Sequence, residues 1–180
     1  MTLPSTAPLQ EQNGQVSGQQ KLPEGYKMLH TEITEAWHIS SLASRLREAD
    51  KQEIKATSDL DAFTGLSRSV ASSPISISIM EGEVPIALYG SVPDEENSAL
   101  VWLLASNDLQ RHSKQFLRES RNYVSKLHRE SNADLLWNLT DKRNTVHHKW
   151  LKWCGFSFIR EVTWGAYNMP FYEFGRFENV

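Results

Sequence analysis

Two carboxylates, Asp50 and Glu53, stand three residues apart in the segment Arg47-Glu48-Ala49-Asp50-Lys51-Gln52-Glu53-Ile54. On a helix that spacing puts both on one face. Paired carboxylates there can orient a cationic amine and accept its proton, which is general-base chemistry. The same groups can instead pair with Arg45, Arg47 or Lys51 on a wet surface. A second concentration of charge follows Asp108, where Arg111, Lys114, Arg118, Arg121, Lys126 and Arg129 share one long helical stretch. Such a basic face suits a phosphate-bearing cofactor or an acidic partner protein, and equally a solvated helix surface. His147 and His148 are adjacent, so on a helix they point roughly 100° apart and do not easily share one metal ion. Cys154 follows Trp153 at the end of an apolar helix, with no cation clearly placed to lower its pKa. It reads as core rather than nucleophile. Ser67, Ser69, Ser72 and Ser73 have no Ser–His–acid pattern around them. Asn144 reads as a helix cap after Asp141-Lys142-Arg143, with a contact to a bound cofactor as the sharper alternative.

The elements that must hold these groups follow from periodicity. Tyr26 to Glu32 reads as a strand. Thr34 can cap a helix with one face built from Ala36, Trp37, Ile39, Ser40, Ala43 and Leu46. Asp50 can cap a short second helix, and Leu60 to Val70 reads as a third, with Leu60, Phe63, Leu66 and Val70 inward. The period then changes to two, as Ile75, Ile77 and Ile79 alternate with Ser76 and Ser78 in a strand. Glu81-Gly82-Glu83 is a turn, and Val84 to Tyr89 returns as the second arm of a hairpin. Leu100 to Ala105 is continuously apolar, as expected of a strand buried on both faces. Asp108 to Glu130 holds a long helix, Leu135 to Leu139 a short buried strand, and Asn144 to Cys154 a helix ended by Gly155. Phe156 to Thr163 and Phe171 to Phe177 are closing strands. Strand–helix–strand in the second half requires one parallel or splayed pairing. The fold class is therefore α+β, a mixed, mostly antiparallel twisted sheet flanked by helices.

The chain has 180 residues, 39% of them hydrophobic and 23% charged, enough to bury one core. Residues 1–24 hold five glutamines, three prolines and no aromatic residue, so they read as a disordered tail ahead of a single domain at 25–180. A net charge of −3 argues against nucleic acid as the main partner. No run approaches the ~18 apolar residues of a membrane span, and no secretory signal is visible. One cysteine excludes an internal disulfide and a multi-cysteine zinc site. The expectation is a soluble intracellular protein.

The element order resembles the fold of the GNAT acyltransferases (Gcn5-related N-acetyltransferases). Asn144, Gly155 and Phe156 stand at the spacing that GNAT sequences often carry across a helix, between a buried strand and a closing one. In those enzymes a loop of pattern Gln/Arg-x-x-Gly-x-Gly/Ala leads into a helix and presents backbone N–H groups to the pyrophosphate of acetyl-CoA. The resemblance puts Leu109-Gln110-Arg111-His112-Ser113-Lys114 at that place. Gln110 would take the first position and Ser113 the first glycine position, while Arg111 and Lys114 would add charge for the phosphates. The stretch holds no glycine, and Asp108 would repel phosphate, so it departs from the pattern. The resemblance thus implies Gln110, Arg111, Ser113, Lys114 and Asn144 as cofactor-binding residues, with acetyl-CoA or another acyl-CoA as the cofactor and no metal. It places Asp50 and Glu53, the candidates for catalysis, beside the acceptor cleft. Many GNAT enzymes carry a tyrosine general acid four residues before the glycine, and here that position is Leu151.

A closer resemblance covers most of residues 32–177. Its pieces are Leu46-Arg47-Glu48-Ala49-Asp50 with Glu53-Ile54, Trp102-Leu103-Leu104-Ala105 and Phe116-Leu117-Arg118-Glu119-Ser120-Arg121. Asp141-Lys142-Arg143-Asn144, Trp150-Leu151-Lys152-Trp153-Cys154-Gly155-Phe156 and Pro170-Phe171-Tyr172-Glu173-Phe174 complete it. These resemble the internal virion protein A family of short-tailed podophages. The resemblance implies a GNAT-like fold used in phage particle assembly, with virion or ejection proteins as partners. The location implied is the host cytoplasm during infection, or the virion. Because the loop glycines and the tyrosine acid are missing, a non-catalytic assembly role is the first expectation. An acyl-CoA-dependent N-acyltransferase acting on a host or virion protein amine is the second. A degenerate fold that binds CoA without chemistry is the third.

Overall fold

A computed structural model describes residues 28–95 and 97–178. The Gln/Pro-rich stretch at 1–24 lies outside these residues, as do Tyr26 and Lys27 of the first predicted strand. The elements run β1 Leu29–Ile33, α1 Ala36–Ala43, α2 Glu48–Ser58, α3 Ala62–Ser72, β2 Ile75–Glu81, β3 Val84–Pro93 and β4 Ser98–Ala105. A 3-10 turn, Asn107–His112, leads into α4 Ser113–Ser131, followed by β5 Leu135–Asp141, α5 Thr145–Trp153, β6 Ser157–Trp164 and β7 Met169–Phe177.

One seven-stranded sheet takes the order β1-β2-β3-β4-β5-β7-β6. Every pairing is antiparallel except β4 with β5, which are joined by a crossover through α4. This is the expected α+β class. Along β4 the side chains alternate between the two faces. Val101 and Leu103 join a core that includes Phe116, Val124 and Leu127 of α4 and Leu151 of α5. Trp102 and Leu104 pack against a second core, on the opposite face, built on Leu42, Ile54 and Leu66 of the first three helices and Leu46 of the α1–α2 connection. β4 is accordingly alternately buried and half-buried rather than sealed on both faces, because the second layer of helices covers it loosely.

Two local expectations change. Thr34 does not cap α1; its hydroxyl bonds Ser78 Oγ at 3.0 Å, and Glu35 with His38 forms a reciprocal capping box instead. Asp50 does not start α2 but lies inside its first turn, fully buried. By contrast Asn144 does cap α5, its Oδ1 accepting from the His147 N–H at 3.4 Å. Gly155 at φ +86° ends the helix.

The feature that shapes the molecule is the short contact between β4 and β5. They pair only at Ser98–Leu135, Ala99–Leu136 and Leu100–Trp137, then diverge. Beyond that point the sheet is split, and each strand turns one backbone edge toward the gap.

Candidate active site at the split between β4 and β5

An open sheet edge inside a protein must find substitute partners for its N–H and C=O groups. Here side chains supply them. Asn138 of β5 reaches across the gap, its Nδ2 donating to Val101 O at 2.8 Å, and its Oδ1 accepts from the Leu139 N–H at 2.7 Å. At the far end of β4 the Asp50 carboxylate accepts from the Ala105 N–H at 2.9 Å, and the Arg47 N–H donates to Ala105 O at 2.9 Å. Val101 and Ala105 therefore face the gap. By the alternation of an antiparallel strand, Leu103 between them turns its own backbone groups the same way. Leu103 stands midway along the split, where neither Asn138 nor Asp50 serves it.

Two recesses meet at Leu103 and His147. The first, about 250 Å³, opens on the side of α2 and α3, with Asp50, Glu53, Arg68, Asn138, Trp102 and Trp164 on its wall. The second, about 330 Å³, lies between α4 and α5 and is walled by Leu109, Gln110, Ser113, Phe116, Trp150 and Trp153 among others. Trp102 lines the first recess and Trp150 the second, and each is held in place by its neighbours. The Trp102 Nε1–H donates to Ser73 Oγ at 2.8 Å, and Trp150 stacks between Phe116 and His147 at 5.9 and 5.5 Å.

The two candidate carboxylates share a helix face but not an environment. Asp50 is fully buried and bound to Arg47 by bonds of 2.8 and 3.0 Å, besides the Ala105 amide. Burial raises its pKa, and the Arg47 charge opposes the rise. Its lone pairs are committed to holding α2 against the end of β4. Glu53, one turn on, is only half-buried and faces the first recess. Desolvation lifts its pKa to about 7, and the nearby Asp50 and Asp141 charges add to the rise; the Asn144 amide and the Asp141 N–H work against it. The Asn144 Nδ2 donates to Glu53 Oε2 at 2.8 Å. Asn144 thus caps α5 with its oxygen and orients Glu53 with its nitrogen. It faces the carboxylate on the acceptor side and is absent from the wall of the α4–α5 recess. Behind it, Asp141 is gripped by Arg143 at 2.6, 3.0 and 3.1 Å. Burial works against the Asp141 charge, yet these bonds hold its pKa below the ordinary carboxylate range. A carboxyl that titrates near neutrality, aimed into a recess and flanked by fixed negative charge, can receive a proton from an ammonium group and release it to solvent.

The phosphate stretch divides. Gln110 and Ser113 reach the second recess, while Arg111 and Lys114 lie off its wall. Arg111 is tied to Glu81 at 2.9 Å and to Asp108 at 3.0 Å. In place of a glycine loop stands the 3-10 turn, whose amides are engaged. Asp108 N–H donates to Ser106 Oγ at 3.2 Å, Leu109 N–H to Ser106 O at 3.3 Å, and Ser113 N–H to Gln110 O.

His147 is the residue that sequence reasoning undervalued. It lines both recesses, and burial, with the charges of Arg47 and His148 adding, lowers its pKa to about 3. Its Nδ1 is buried with no hydrogen-bond partner. It is a neutral imidazole at the junction of the two recesses. Adjacent His148 is used structurally, its Nε2 bonding Asp141 O at 3.0 Å. The only sequence signal was position, three residues after the helix cap. Cys154 is buried against Ser120, and burial pushes its thiol up to about 11, so it belongs to the core. Leu151, at the position of the usual tyrosine acid, is likewise core. Among the described residues no group of His, Cys, Asp or Glu could hold a metal ion, and no helix is long and apolar enough to cross a membrane.

The fold is that of the GNAT acetyltransferases. Ard1 from Thermoplasma volcanium superposes with a TM-score of 0.66 at 12% identity, over 83% of this chain and 97% of that one. The ribosomal-protein-S5-alanine acetyltransferase from Vibrio fischeri gives 0.61 at 10% identity, over 84% and 93%. A Bacillus subtilis acetyltransferase in complex with CoA gives 0.59 at 8% identity, over 83% and 99%. No protein-family profile and no curated protein matches the sequence. The likeness is thus one of fold.

Proposed function

We propose that the protein is an N-acyltransferase that moves an acyl group from a pantetheine thioester, such as acetyl-CoA, to an amine. One observation carries the reading: the split between β4 and β5 joins an apolar recess on one side to a recess holding Glu53 on the other, with Leu103 backbone groups between them. The thioester enters between α4 and α5 with its carbonyl toward the Leu103 amide, which stabilises the oxyanion. The acceptor amine enters past α2 and α3 and loses a proton to Glu53. Nitrogen bonds to the acyl carbon, the carbon–sulfur bond breaks, and the thiolate takes a proton from solvent, since Leu151 offers none. Holding both reactants at one gap supplies much of the acceleration. Bound CoA in the Bacillus subtilis neighbour supports the cofactor class. Acceptor identity is carried by the first recess, whose Glu53 suits a cationic amine, whether of a host or a virion protein.

The second reading is a phage virion-assembly or ejection-associated protein that uses this fold as a scaffold, in the host cytoplasm or the particle. It is favoured by the 3-10 turn that replaces the glycine loop and by the six-segment resemblance. Thermal unfolding with millimolar acetyl-CoA separates the two, because a ligand that binds only the native state raises Tm. A rise of several degrees supports the acyltransferase. No rise in folded protein, together with its recovery in particles or assembly intermediates, replaces that reading with the second.

A further inference from the structure

We infer that the acyl group reaches this site on the 4′-phosphopantetheine arm of an acidic carrier protein docked on α4 and α5, rather than on free coenzyme. The inference rests on the acyltransferase reading and concerns only what carries the thioester. Coenzyme A and a carrier protein share the pantetheine arm; they differ beyond it. The coenzyme continues as a diphosphate and a phosphorylated nucleoside, the carrier as one phosphodiester on an acidic protein surface.

The recess suits the shared part. Leu109, Phe116, Leu117, Trp150 and Trp153 give it apolar walls, with Gln110 and Ser113 as polar contacts at one end. The place where a diphosphate would emerge does not suit the coenzyme. The amides of the 3-10 turn are engaged by Ser106 and Gln110. The Asp108 carboxylate sits there, held by Arg45 at 3.1 Å and Arg111 at 3.0 Å, and Arg111 is paired again with Glu81 at 2.9 Å, so the two guanidinium charges are matched by two carboxylates. A concentrated dianion would meet cations already matched by carboxylates, and the Asp108, Leu109 and Ser113 amides already engaged.

The exposed cations beside the recess form a line rather than a cradle. Lys114, Arg118 and Arg121 recur at four and three residues on α4, one stripe beside the Ser113–Leu117 line that forms the recess wall. The stripe spans about 10 Å along the helix. The Arg118 side chain is 71% exposed. Its acidic neighbour, Glu119 at 3.9 Å, is engaged by the Tyr123 hydroxyl at 2.6 Å and the Gln115 amide at 3.0 Å. Arg121 lies over Trp153 at 4.4 Å, tying the stripe to the apolar wall. Lys149 on α5 borders the recess from the other side. This basic rim stands on a chain of net charge −3, so it is a local feature that fits an extended acidic surface. Transfer balances as before: the N–C bond forms, the C–S bond breaks, Glu53 takes the amine proton, and the carrier leaves as its free thiol.

Calorimetric titration of the full chain with a purified acyl carrier protein in apo, holo and acetyl forms, and separately with acetyl-CoA, tests this. The acetyl carrier is expected to bind at least about tenfold tighter than acetyl-CoA, and the armless apo carrier about tenfold weaker than the holo form. Rising salt weakens carrier binding, and K114E combined with R118E weakens it by about tenfold or more. Acetyl-CoA binding as tightly as the acetyl carrier overturns the inference and leaves the acyltransferase reading standing. Equal binding of apo and holo carrier also overturns it, since the arm would then be outside the recess. Binding of neither ligand to folded protein removes the acyltransferase reading itself. Should the double variant unfold, R118A on its exposed side chain answers the same question, and unchanged carrier affinity there counts against the inference.

Discussion

Replacing Glu53 with glutamine tests the most consequential group in the molecule without changing its shape. Glutamine keeps an oxygen to accept from Asn144 Nδ2, so the 2.8 Å bond is retained and only the ionisation is removed. The pKa of Glu53 rises from 4.5 to about 7 in the folded protein. Below pH 4.5 both folded and unfolded chains hold the proton, and the residue contributes no pH dependence. Between about 4.5 and 7 the unfolded chain ionises while the folded one does not, which favours unfolding. The penalty is complete above pH 7. At 1.36 kcal/mol per pKa unit this is up to about 3 kcal/mol, and part exposure to the recess reduces it to roughly 1–3 kcal/mol. Urea denaturation of wild type and Glu53→Gln at pH 5 and pH 8 measures it. The variant is expected to lie close to wild type at pH 5 and to exceed it by a clearly larger margin at pH 8. In the transfer assay wild-type activity rises through pH 7 as the carboxylate forms, and the variant loses that limb with a fall of about 10²–10⁴ in kcat. Parallel stability profiles for the two proteins from pH 5 to 8 would refute the claim that Glu53 is desolvated, and with it the proposed base.

Three further outcomes are expected. Asp50→Asn leaves the half-buried Arg47 guanidinium without its charge partner and weakens the clamp on the Ala105 N–H; a loss of about 1–3 kcal/mol in urea is expected, and a change below 1 kcal/mol would show that α2 does not depend on this clamp. Gly165 has φ +79°, and a methyl group there would collide with the Ala56 carbonyl. Gly165→Ala is therefore expected to detach the tip of the β6–β7 hairpin from α2, seen as faster hydrogen exchange at the Ala166 amide, which bonds Ala56 O at 2.9 Å; retained protection would contradict that latch. Cys154, with its thiol raised to about 11 by burial, is expected to resist alkylation at pH 8 until the protein unfolds, and rapid labelling of native protein would place it outside the core.

Much of the fold was legible because it depends on local patterns. The alternation from Ile75 to Ile79, the turn at Gly82 and the cap at Asn144 each follow from chemistry within a few residues. The shared face of Asp50 and Glu53 was legible for the same reason. Their different fates were not. Whether a carboxylate meets Arg47 and the Ala105 amide or opens into a recess depends on where β4 ends in space, and β4 lies some fifty residues further along the chain. His147 shows the limit most plainly. Nothing in the adjacent pair His147-His148 tells which imidazole bonds the Asp141 carbonyl and which is left neutral where the recesses meet. The 3-10 turn was hidden for a related reason. Ser106, which engages its first amides, sits outside the stretch where a phosphate loop would be sought.

The site is a consequence of a broken sheet. The parallel pairing of β4 with β5 stops after three residue pairs, and the rest of that β4 edge is left without a strand partner. Each backbone group exposed by that divergence then needs a partner, and the residues that provide one, Asn138 and Asp50, are fixed by the demand. Leu103 is the position where the demand is left to something else. On the proposed acyltransferase reading a thioester carbonyl would accept from the Leu103 N–H there, at the opening that costs the sheet its continuity. The same logic separates the two carboxylates. The one that completes the sheet is fully committed and structural, and the one a turn away, freed from that duty, is left to titrate near pH 7 at the mouth of the gap.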